Sequence, residues 1–186
     1  MADESINAPI GDFEDERILM LFEFPQAKEN KQIQNILKEA RTILDMGSGI
    51  TGASVKQLLT ICPNAEKIIT VDLAFTTNLG SPPGKINHQH HETNISTYLK
   101  EGKDEVDVVC FAHVPGYNPG PEDYKNLDRL VKERGIIIQV GDTVLDEDEM
   151  KKYFKLAVDI APTKKGDYPQ YHRIWVKKTV SVNSKQ

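Results

Sequence analysis

The sequence is poor in cysteine and in long apolar runs, and each shortage excludes a class of protein. Its 186 residues contain two cysteines, Cys62 and Cys110, which form no metal-type spacing and lie in apolar segments typical of buried, reduced thiols. No apolar run approaches the length of a membrane-spanning helix, and the acidic, polar N-terminus lacks the pattern of a signal peptide. We therefore expect a cytoplasmic protein without a membrane partner.

Basic clusters are also scarce. The formal net charge is −5, and no run of lysine and arginine is long enough to form a nucleic-acid footprint. A bare RNA or DNA partner is therefore disfavoured, although a local basic patch stays open. The hydrophobic content of 39% and the charged content of 27% are ordinary for a globular protein, and the length suits one domain with a full core.

What is present is a strand, a glycine-rich loop, a helix and a second strand over residues 41–73. The first strand leads into Gly47, Gly49 and Gly52, and the second ends on Asp72. A helix between two strands is the usual crossover of a parallel pair. Glycines permit a tight turn and close approach of a ligand, and the helix start presents free N–H groups and positive dipole. A carboxylate at the second strand tip can accept hydrogen bonds from ribose hydroxyls, so this unit predicts a nucleoside site.

Two ligand classes fit such a unit. The literal spacing Gly47-x-Gly49-x-x-Gly52 matches the dinucleotide fingerprint of nicotinamide-dependent oxidoreductases. Asp45, however, stands two residues before Gly47, at the tip of the first strand. An anion there would repel a pyrophosphate and attract an ammonium or sulfonium group, which favours the second class.

The chain resembles the class I S-adenosylmethionine-dependent methyltransferases. Their first motif is acid-x-Gly-x-Gly-x-Gly after an apolar strand, with a second acid at the end of the next strand; Asp45, Gly47, Gly49 and Asp72 match it, while Thr51 replaces the third glycine. The resemblance implies S-adenosylmethionine as cofactor, methyl transfer as reaction and no metal. The cofactor-binding residues that it implies are Asp45, Gly47, Ser48, Gly49, Asp72, Leu73 and Glu92.

The rest of the pattern predicts a Rossmann-like α/β fold. We expect a helix before the first strand, a breaker-rich loop over 74–85, a polar third strand ending near Glu92, a short helix capped by Asn94, and a continuous apolar strand over 106–112. A helix from Pro121 is predicted to end at Gly135, followed by a fifth strand over 136–140 and a charged helix after Asp146.

The last strands are predicted over 154–160 and 171–178, joined by a turn-rich loop over 162–169. Without a helix between them they must be antiparallel. The expected fold is thus a mostly parallel seven-stranded sheet with helices on both faces and an antiparallel C-terminal hairpin, as the resemblance also implies. The expected organisation is an N-terminal tail and covering segment over 1–27, a methyltransferase-like domain over 28–180, and a polar tail over 181–186.

Two histidine-containing segments are candidate sites. His88, His90 and His91 lie on the predicted third strand, but no matching cluster of acids or cysteines accompanies them, so a polar edge strand is favoured over a metal site. His113 and Tyr117 follow the apolar fourth strand, beyond whose carboxyl end ligands bind in open α/β sheets. His113 could act as general base and Tyr117 could orient an acceptor; the simpler alternative is a histidine that caps the strand.

The loop from His113 to Tyr117 reads His-Val-Pro-Gly-Tyr, where DNA and some protein methyltransferases carry an Asn/Asp-Pro-Pro-aromatic motif. The departure argues against an adenine or glutamine amide nitrogen as acceptor. The predicted function is methyl transfer from S-adenosylmethionine to a small molecule or a group presented by a partner protein. The alternatives are a non-catalytic cofactor-binding module of the same fold and, third, a nicotinamide-dependent oxidoreductase.

Overall fold

The structure is a computed structural model that describes residues 17–49, 52–73, 86–165 and 168–179, with side chains except at 161–169. Its strands are β1 Thr42–Met46, β2 Lys67–Asp72, β3 Asn87–Glu92, β4 Val106–Ala112, β5 Val131–Gly141, β6 Phe154–Lys165 and β7 Tyr168–Lys177. Its helices are α1 Arg17–Leu21, α2 Pro25–Lys28, α3 Lys31–Glu39, α4 Ala53–Ile61, α5 Ile95–Glu101, α6 Pro121–Leu130 and α7 Glu147–Tyr153.

The strands form one seven-stranded sheet in the order β3-β2-β1-β4-β5-β7-β6. The five strands from β3 to β5 run parallel, and β7 pairs antiparallel with both β5 and β6. The predicted mostly parallel sheet with an antiparallel C-terminal hairpin is confirmed. β1 lies between β2 and β4, so the chain reverses direction across the sheet at β1, and the loops after these three strands meet at one edge.

The core lies on both faces of this sheet. Alternate strand residues divide between two apolar clusters, as the period of two of a β-strand requires. Ile43 and Ile68 face the cluster that packs against α1, α3 and α4, whereas Leu44 and Ile69 face the cluster under α5, α6 and α7. Strands covered on both faces must be apolar throughout, which explains the continuous run in β4.

The first helix is tied to the domain by a side chain of α4. Gln57 is buried, and its Oε1 accepts hydrogen bonds from the N–H groups of Ile18 and Leu19 at 3.0 and 3.2 Å. Those N–H groups lie in the first turn of α1, which has no partner for them within the helix. Ile18 and Leu21 are fully buried in the core, so this segment packs on the sheet. The domain boundaries drawn at 27 and 180 stay predictions.

The structure corrects the predicted role of Gly135 as the end of a helix. α6 ends at Leu130 rather than at Gly135, and Val131 already begins β5 opposite Val106. The pairing of β4 with β5 shifts between Val106 and Val108, because residues 132–135 bend out of register. A Cβ at Gly135 would lie 2.6 Å from Cγ1 of Val131, so glycine is needed for a tight bend inside a strand and not for a helix end.

The predicted loop over 162–169 was also wrong. β6 continues to Lys165 and β7 begins at Tyr168, so the hairpin is longer than the apolar pattern indicates. Backbone pairing between the two strands extends both of them here. The predicted loop over 74–85 lies outside the described residues. Elsewhere, α3, α5 and α7 occur where the sequence predicts them, and Asn94 and Asp146 cap the last two through N–H groups three residues ahead.

Candidate cofactor and acceptor site

The glycine loop between β1 and α4 has left-handed backbone at three glycines. Gly47, Gly49 and Gly52 have φ of 73°, 66° and 61°, a region that residues with a Cβ rarely adopt. A Cβ at Gly47 would lie 2.7 Å from Cγ2 of Val114, whereas a Cβ at Gly49 would meet nothing within 4 Å. The loop therefore packs closely against the segment after β4 at Gly47 and leaves open space at Gly49.

Asp72 lies at the tip of β2 and is joined to the glycine loop. The Gly49 N–H donates to Oδ2 of Asp72 at 2.9 Å, and the Gly47 N–H donates to the Val71 carbonyl at 2.7 Å. A carboxylate has about four acceptor sites, so Asp72 keeps capacity for further donors such as a diol. Because Asp72 already accepts from Gly49, a diphosphate at that amide would face a carboxylate.

Asp45 is fully buried in β1, beneath α4. The Ser54 hydroxyl donates to Asp45 Oδ2 at 2.5 Å, while Asp45 Oδ1 is buried without a hydrogen-bond partner among the described residues. Burial raises the pKa of Asp45 to about 7, with the Ser54 hydrogen bond opposing and the charge of Asp72 adding to the rise. The buried carboxyl thus keeps its proton to a higher pH than an exposed aspartate does. Asp45 therefore repels an anionic ligand less strongly than the sequence suggests.

The remaining predicted cofactor residues lie along the same edge. Ser48 is buried within the loop, and the side chain of Leu73, directly after β2, is 73% exposed. Glu92 ends β3 in register with Asp72, so two carboxylates stand at neighbouring strand tips. The structure therefore places the predicted cofactor residues together across the carboxyl ends of β1, β2 and β3; their roles stay predictions.

His113 directly follows β4 and has left-handed backbone, with φ of 59°. Its N–H donates to the Val140 carbonyl at 3.1 Å, and the next residue, Val114, donates to the Thr143 hydroxyl at 2.8 Å. Non-glycine residues at such φ are uncommon and concentrate at functional sites. Two backbone N–H groups, bonded to the Val140 carbonyl and the Thr143 side chain, thus hold the loop that carries His113 against the end of β5.

The ring of His113 is met by two charged side chains. Oδ1 of Asp142, the residue after β5, lies 2.9 Å from His113 Nδ1. Arg17 of α1 places Nη1 3.5 Å from the same ring nitrogen and donates to Gln170 Oε1 at 2.9 Å. Gly141 makes room for this arrangement, because a Cβ there would lie 2.8 Å from Arg17 Nη1. We call Arg17, His113, Asp142 and Gln170 the His113 cluster.

Tyr117 is placed differently from the histidine. Its ring stacks on Phe111 with centroids 5.9 Å apart and an interplanar angle of 8°, on the side of the sheet under α5 and α6. Its hydroxyl hydrogen-bonds with Ser96 and Asp123, and burial raises its pKa above the ordinary value of 10. The phenol therefore stays neutral. Because its hydroxyl is already hydrogen-bonded, the ring is the part of Tyr117 that a ligand could contact.

The histidines of β3 form an edge-strand arrangement. β3 is the outermost strand, and His88 Nε2 and His90 Nδ1 each lie 2.9 Å from the hydroxyl of Thr70 on β2. Burial, with His90 adding, lowers the pKa of His88. Over 17–49, 52–73, 86–165 and 168–179, no group of three or more histidine, cysteine, aspartate or glutamate side chains could hold a metal ion. In the same ranges no helix has the length and apolarity to cross a membrane.

Sequence reasoning missed Asp142, Arg17 and Ser54. Asp142 follows a buried strand directly, so the rule that ligands bind at the carboxyl ends of strands could have found it. Ser54 stands in the first turn of the helix after the glycine loop, on the same face as the buried Leu58 four residues later, and it points toward Asp45 of β1. Arg17 carries no sequence signal, because its contact with His113 spans 96 residues.

No protein-family model and no curated protein matches the chain. Solved structures do resemble it. One is a candidate methyltransferase from Escherichia coli, with a TM-score of 0.59 and 14% identity over 86% of this chain and 83% of that one. Another is an rRNA methylase from Streptococcus thermophilus, with a TM-score of 0.57 and 12% identity over 84% and 98% of the two chains.

A third is a candidate methyltransferase from Streptococcus mutans in complex with SAH, with a TM-score of 0.51 and 15% identity over 78% of this chain and 94% of that one. At these identities the likeness concerns the course of the backbone. The expected resemblance to class I methyltransferases is confirmed at that level: the chain has the Rossmann-like fold of the S-adenosylmethionine-dependent methyltransferases.

Proposed function

We propose that this protein binds S-adenosylmethionine and transfers its methyl group to a hydroxyl or amine of a small molecule or of a group presented by a partner protein. The observation that carries the proposal is the left-handed glycine loop joined through Gly49 to the carboxylate of Asp72, at the β1–β2 edge of a methyltransferase fold. When bound, S-adenosylmethionine supplies a methyl carbon on a sulfonium sulfur, and that C–S bond breaks with its electron pair on the sulfur.

The residues present fit this cofactor. Open space at Gly49 admits a ligand next to the backbone, and Asp72 can accept from ribose hydroxyls while it keeps the Gly49 N–H. Within the described part of the chain Oδ1 of Asp45 has no hydrogen-bond partner, so it can accept a hydrogen bond from a charged amino group directly or through water, and such a cation favours the ionised carboxylate. Leu73 offers an exposed apolar surface and Glu92 an acceptor for an adenine amino group.

Acceptor chemistry is assigned to the loop after β4. His113 is the proposed general base, because it stands at the tip of the strand that adjoins β1 and its side chain is half exposed. Tyr117 is proposed to contact the acceptor through its ring. Catalysis would come from holding donor and acceptor in near-attack geometry and from removing the acceptor's proton.

The alternatives remain distinguishable. A non-catalytic module would bind the cofactor without turnover. A nicotinamide-dependent oxidoreductase is disfavoured, because the Gly49 amide already donates to Asp72. One protein of similar fold is described as an rRNA methylase, so the experiment must test RNA as an acceptor beside small molecules.

Titration calorimetry with S-adenosylmethionine, its demethylated product and NAD tests the cofactor. We expect binding of the first two only. Asp72→Ala should weaken S-adenosylmethionine binding by roughly 1.5–3 kcal/mol, the usual worth of a hydrogen bond to a charged group. Unchanged affinity would remove Asp72 from the site, and tighter binding of NAD would replace the proposal.

Asp104→Ala is the matched control. Asp104 precedes β4 at the opposite edge of the sheet, where it pairs with Lys67 at 2.9 Å, so its loss should leave cofactor affinity unchanged. Turnover is tested by methyl transfer from labelled donor into a cell extract, with separate protein, RNA and small-molecule fractions. Cofactor binding with no transfer into any fraction would favour the non-catalytic module.

A further inference from the structure

We propose that Asp142 is a positioning residue that keeps the proton of His113 on Nδ1, so that Nε2 accepts the proton of a hydroxyl or amine acceptor. The inference rests on the proposed function and deepens it by assigning the acceptor a proton-bearing nucleophilic atom. Asp142 does not itself touch the acceptor; it acts through the ring of His113.

The first observation is the short contact between the two side chains. Asp142 Oδ1 lies 2.9 Å from His113 Nδ1, within the distance of a charge-assisted hydrogen bond. A ring nitrogen that presented its lone pair to a carboxylate oxygen at this distance would be repelled. Nδ1 therefore carries the proton in the neutral ring, and the lone pair is on Nε2.

The second observation concerns Asp142 itself. Its side chain is 19% exposed, and within the part of the chain that the structure describes its Oδ1 is buried without an aligned hydrogen-bond donor. Buried carboxylate oxygens need a donor, and Nδ1–H of His113, with its nitrogen 2.9 Å away, can supply one. The two atoms lie within hydrogen-bond distance of each other.

A hydrogen bond from Arg17 to His113 Nδ1 would favour the opposite tautomer. Its distance is longer than that of the Asp142 contact. Arg17 Nη1 is 3.5 Å from Nδ1, at the outer limit of a hydrogen bond, and it donates at 2.9 Å to Gln170 instead. If Arg17 set the tautomer, Nδ1 would accept and Nε2 would carry the proton. The ring would then donate to the acceptor and could not serve as its base.

The backbone holds the ring in place for this role. His113 keeps left-handed φ, and its N–H and that of Val114 are both bonded to the β5 end, next to Asp142. The histidine and the aspartate are thus fixed to each other by β4–β5 pairing. With the side chain of His113 51% exposed, Nε2 can reach a solvent-borne acceptor.

In the proposed step a proton passes from the acceptor to Nε2 of His113. The acceptor's O–H or N–H bond breaks and its proton bonds to the lone pair of Nε2, while the electron pair left on the acceptor atom forms the new bond to carbon. The imidazolium is stabilised by Asp142 and later loses the proton to water. A carboxylate that orients an imidazole in this way is the arrangement known from serine hydrolases.

The test is the tautomer of His113, read from long-range ¹H–¹⁵N spectra of the ligand-free, histidine-labelled protein, recorded as the pH is raised until the imidazole signals no longer change. His113→Gln assigns the signals. We expect Nδ1 protonated and Nε2 unprotonated in the wild type. A ring with its proton mainly on Nε2 overturns the proposal.

Two variants separate positioning from mere structure. Asp142→Asn can donate an amide N–H to Nδ1 and should move the proton to Nε2, whereas Arg17→Gln should leave the tautomer unchanged. The reverse pattern would assign the role to Arg17. If Asp142→Asn does not fold, the wild-type tautomer alone decides.

The same samples are titrated with the demethylated cofactor. Absence of binding would refute the proposed function without altering the tautomer result, and a Nε2–H ring would refute the present inference while leaving cofactor binding intact. Once the acceptor is known, Asp142→Asn should lower the methyl-transfer rate by roughly 10²–10⁴-fold, the range for loss of general base catalysis, with cofactor affinity retained.

Discussion

The buried carboxyl of Asp45 should make the protein less stable as the pH rises, and Asp45→Asn should remove that dependence. Burial raises the folded-state pKa from 3.8 to about 7. At 1.36 kcal/mol per pKa unit, the full difference corresponds to about 4 kcal/mol. Between the two pKa values the folded protein binds a proton that the unfolded chain has lost, so the free energy of unfolding falls as pH rises through that window.

The assay is urea unfolding of the wild type and of Asp45→Asn at pH 5 and pH 8. Part of the loss has already occurred at pH 5, because the unfolded carboxyl ionises near 3.8. From pH 5 to pH 8 the free energy of unfolding of the wild type should therefore fall by about 2.5 kcal/mol more than that of Asp45→Asn. Other titrating groups cancel in this difference because both proteins carry them.

Asp104→Asn is the control for the loss of a carboxylate as such. Its side chain is 43% exposed and paired with Lys67, so no comparable gain at pH 8 is expected. If the unfolding free energies of the wild type and Asp45→Asn run parallel between pH 5 and pH 8, the carboxyl is ionised throughout and our account of its burial fails. Ser54→Ala should lower wild-type stability more at pH 8 than at pH 5, since the Ser54 hydroxyl donates to the ionised form.

Three further predictions use the same region. Asp45→Asn should weaken binding of S-adenosylmethionine more than binding of adenosine in calorimetry, and equal losses would sink the assignment of Asp45 to the amino-acid part of the ligand. Gly47→Ala should destabilise the fold by roughly 1–3 kcal/mol and more than Gly49→Ala, because only the former adds a clash, 2.7 Å from Val114, to the left-handed strain; equal melting temperatures would contradict this. His113→Gly should unfold about 1 kcal/mol less readily than His113→Ala, since only glycine relieves the left-handed φ, and equal urea midpoints would mean that no strain is stored there.

The sequence by itself determined the central unit and the order of the elements. Period-two and period-3.6 patterns identify strands and helices locally, and glycines next to an apolar strand indicate a turn whatever surrounds them. Asp45 and Asp72 therefore fall at the ends of β1 and β2 as predicted, with Gly47 and Gly49 in the loop after β1, and the hairpin follows from two strands with no helix between them. These properties depend on residues close in the chain.

Gly135 marks where local patterns fail. A glycine after an amphipathic segment is the usual sign of a helix end, yet here it lies inside β5, where a Cβ would collide with Val131. Burial of Val131 opposite Val106 decided where the helix stops. Tertiary packing overrode a helical spacing that continues for four more residues, because an apolar β-branched residue gains more in the sheet than at an exposed helix turn.

Only the tertiary structure decided the chemistry of the site. The protonation of Asp45 depends on its depth beneath α4 and on one hydroxyl from Ser54, neither of which its neighbours in the sequence encode. The His113 cluster joins side chains from α1, β7 and the ends of β4 and β5, whose meeting follows from sheet order. A strand tip can be read from sequence, but the charge that a side chain carries there is set by what the fold packs around it.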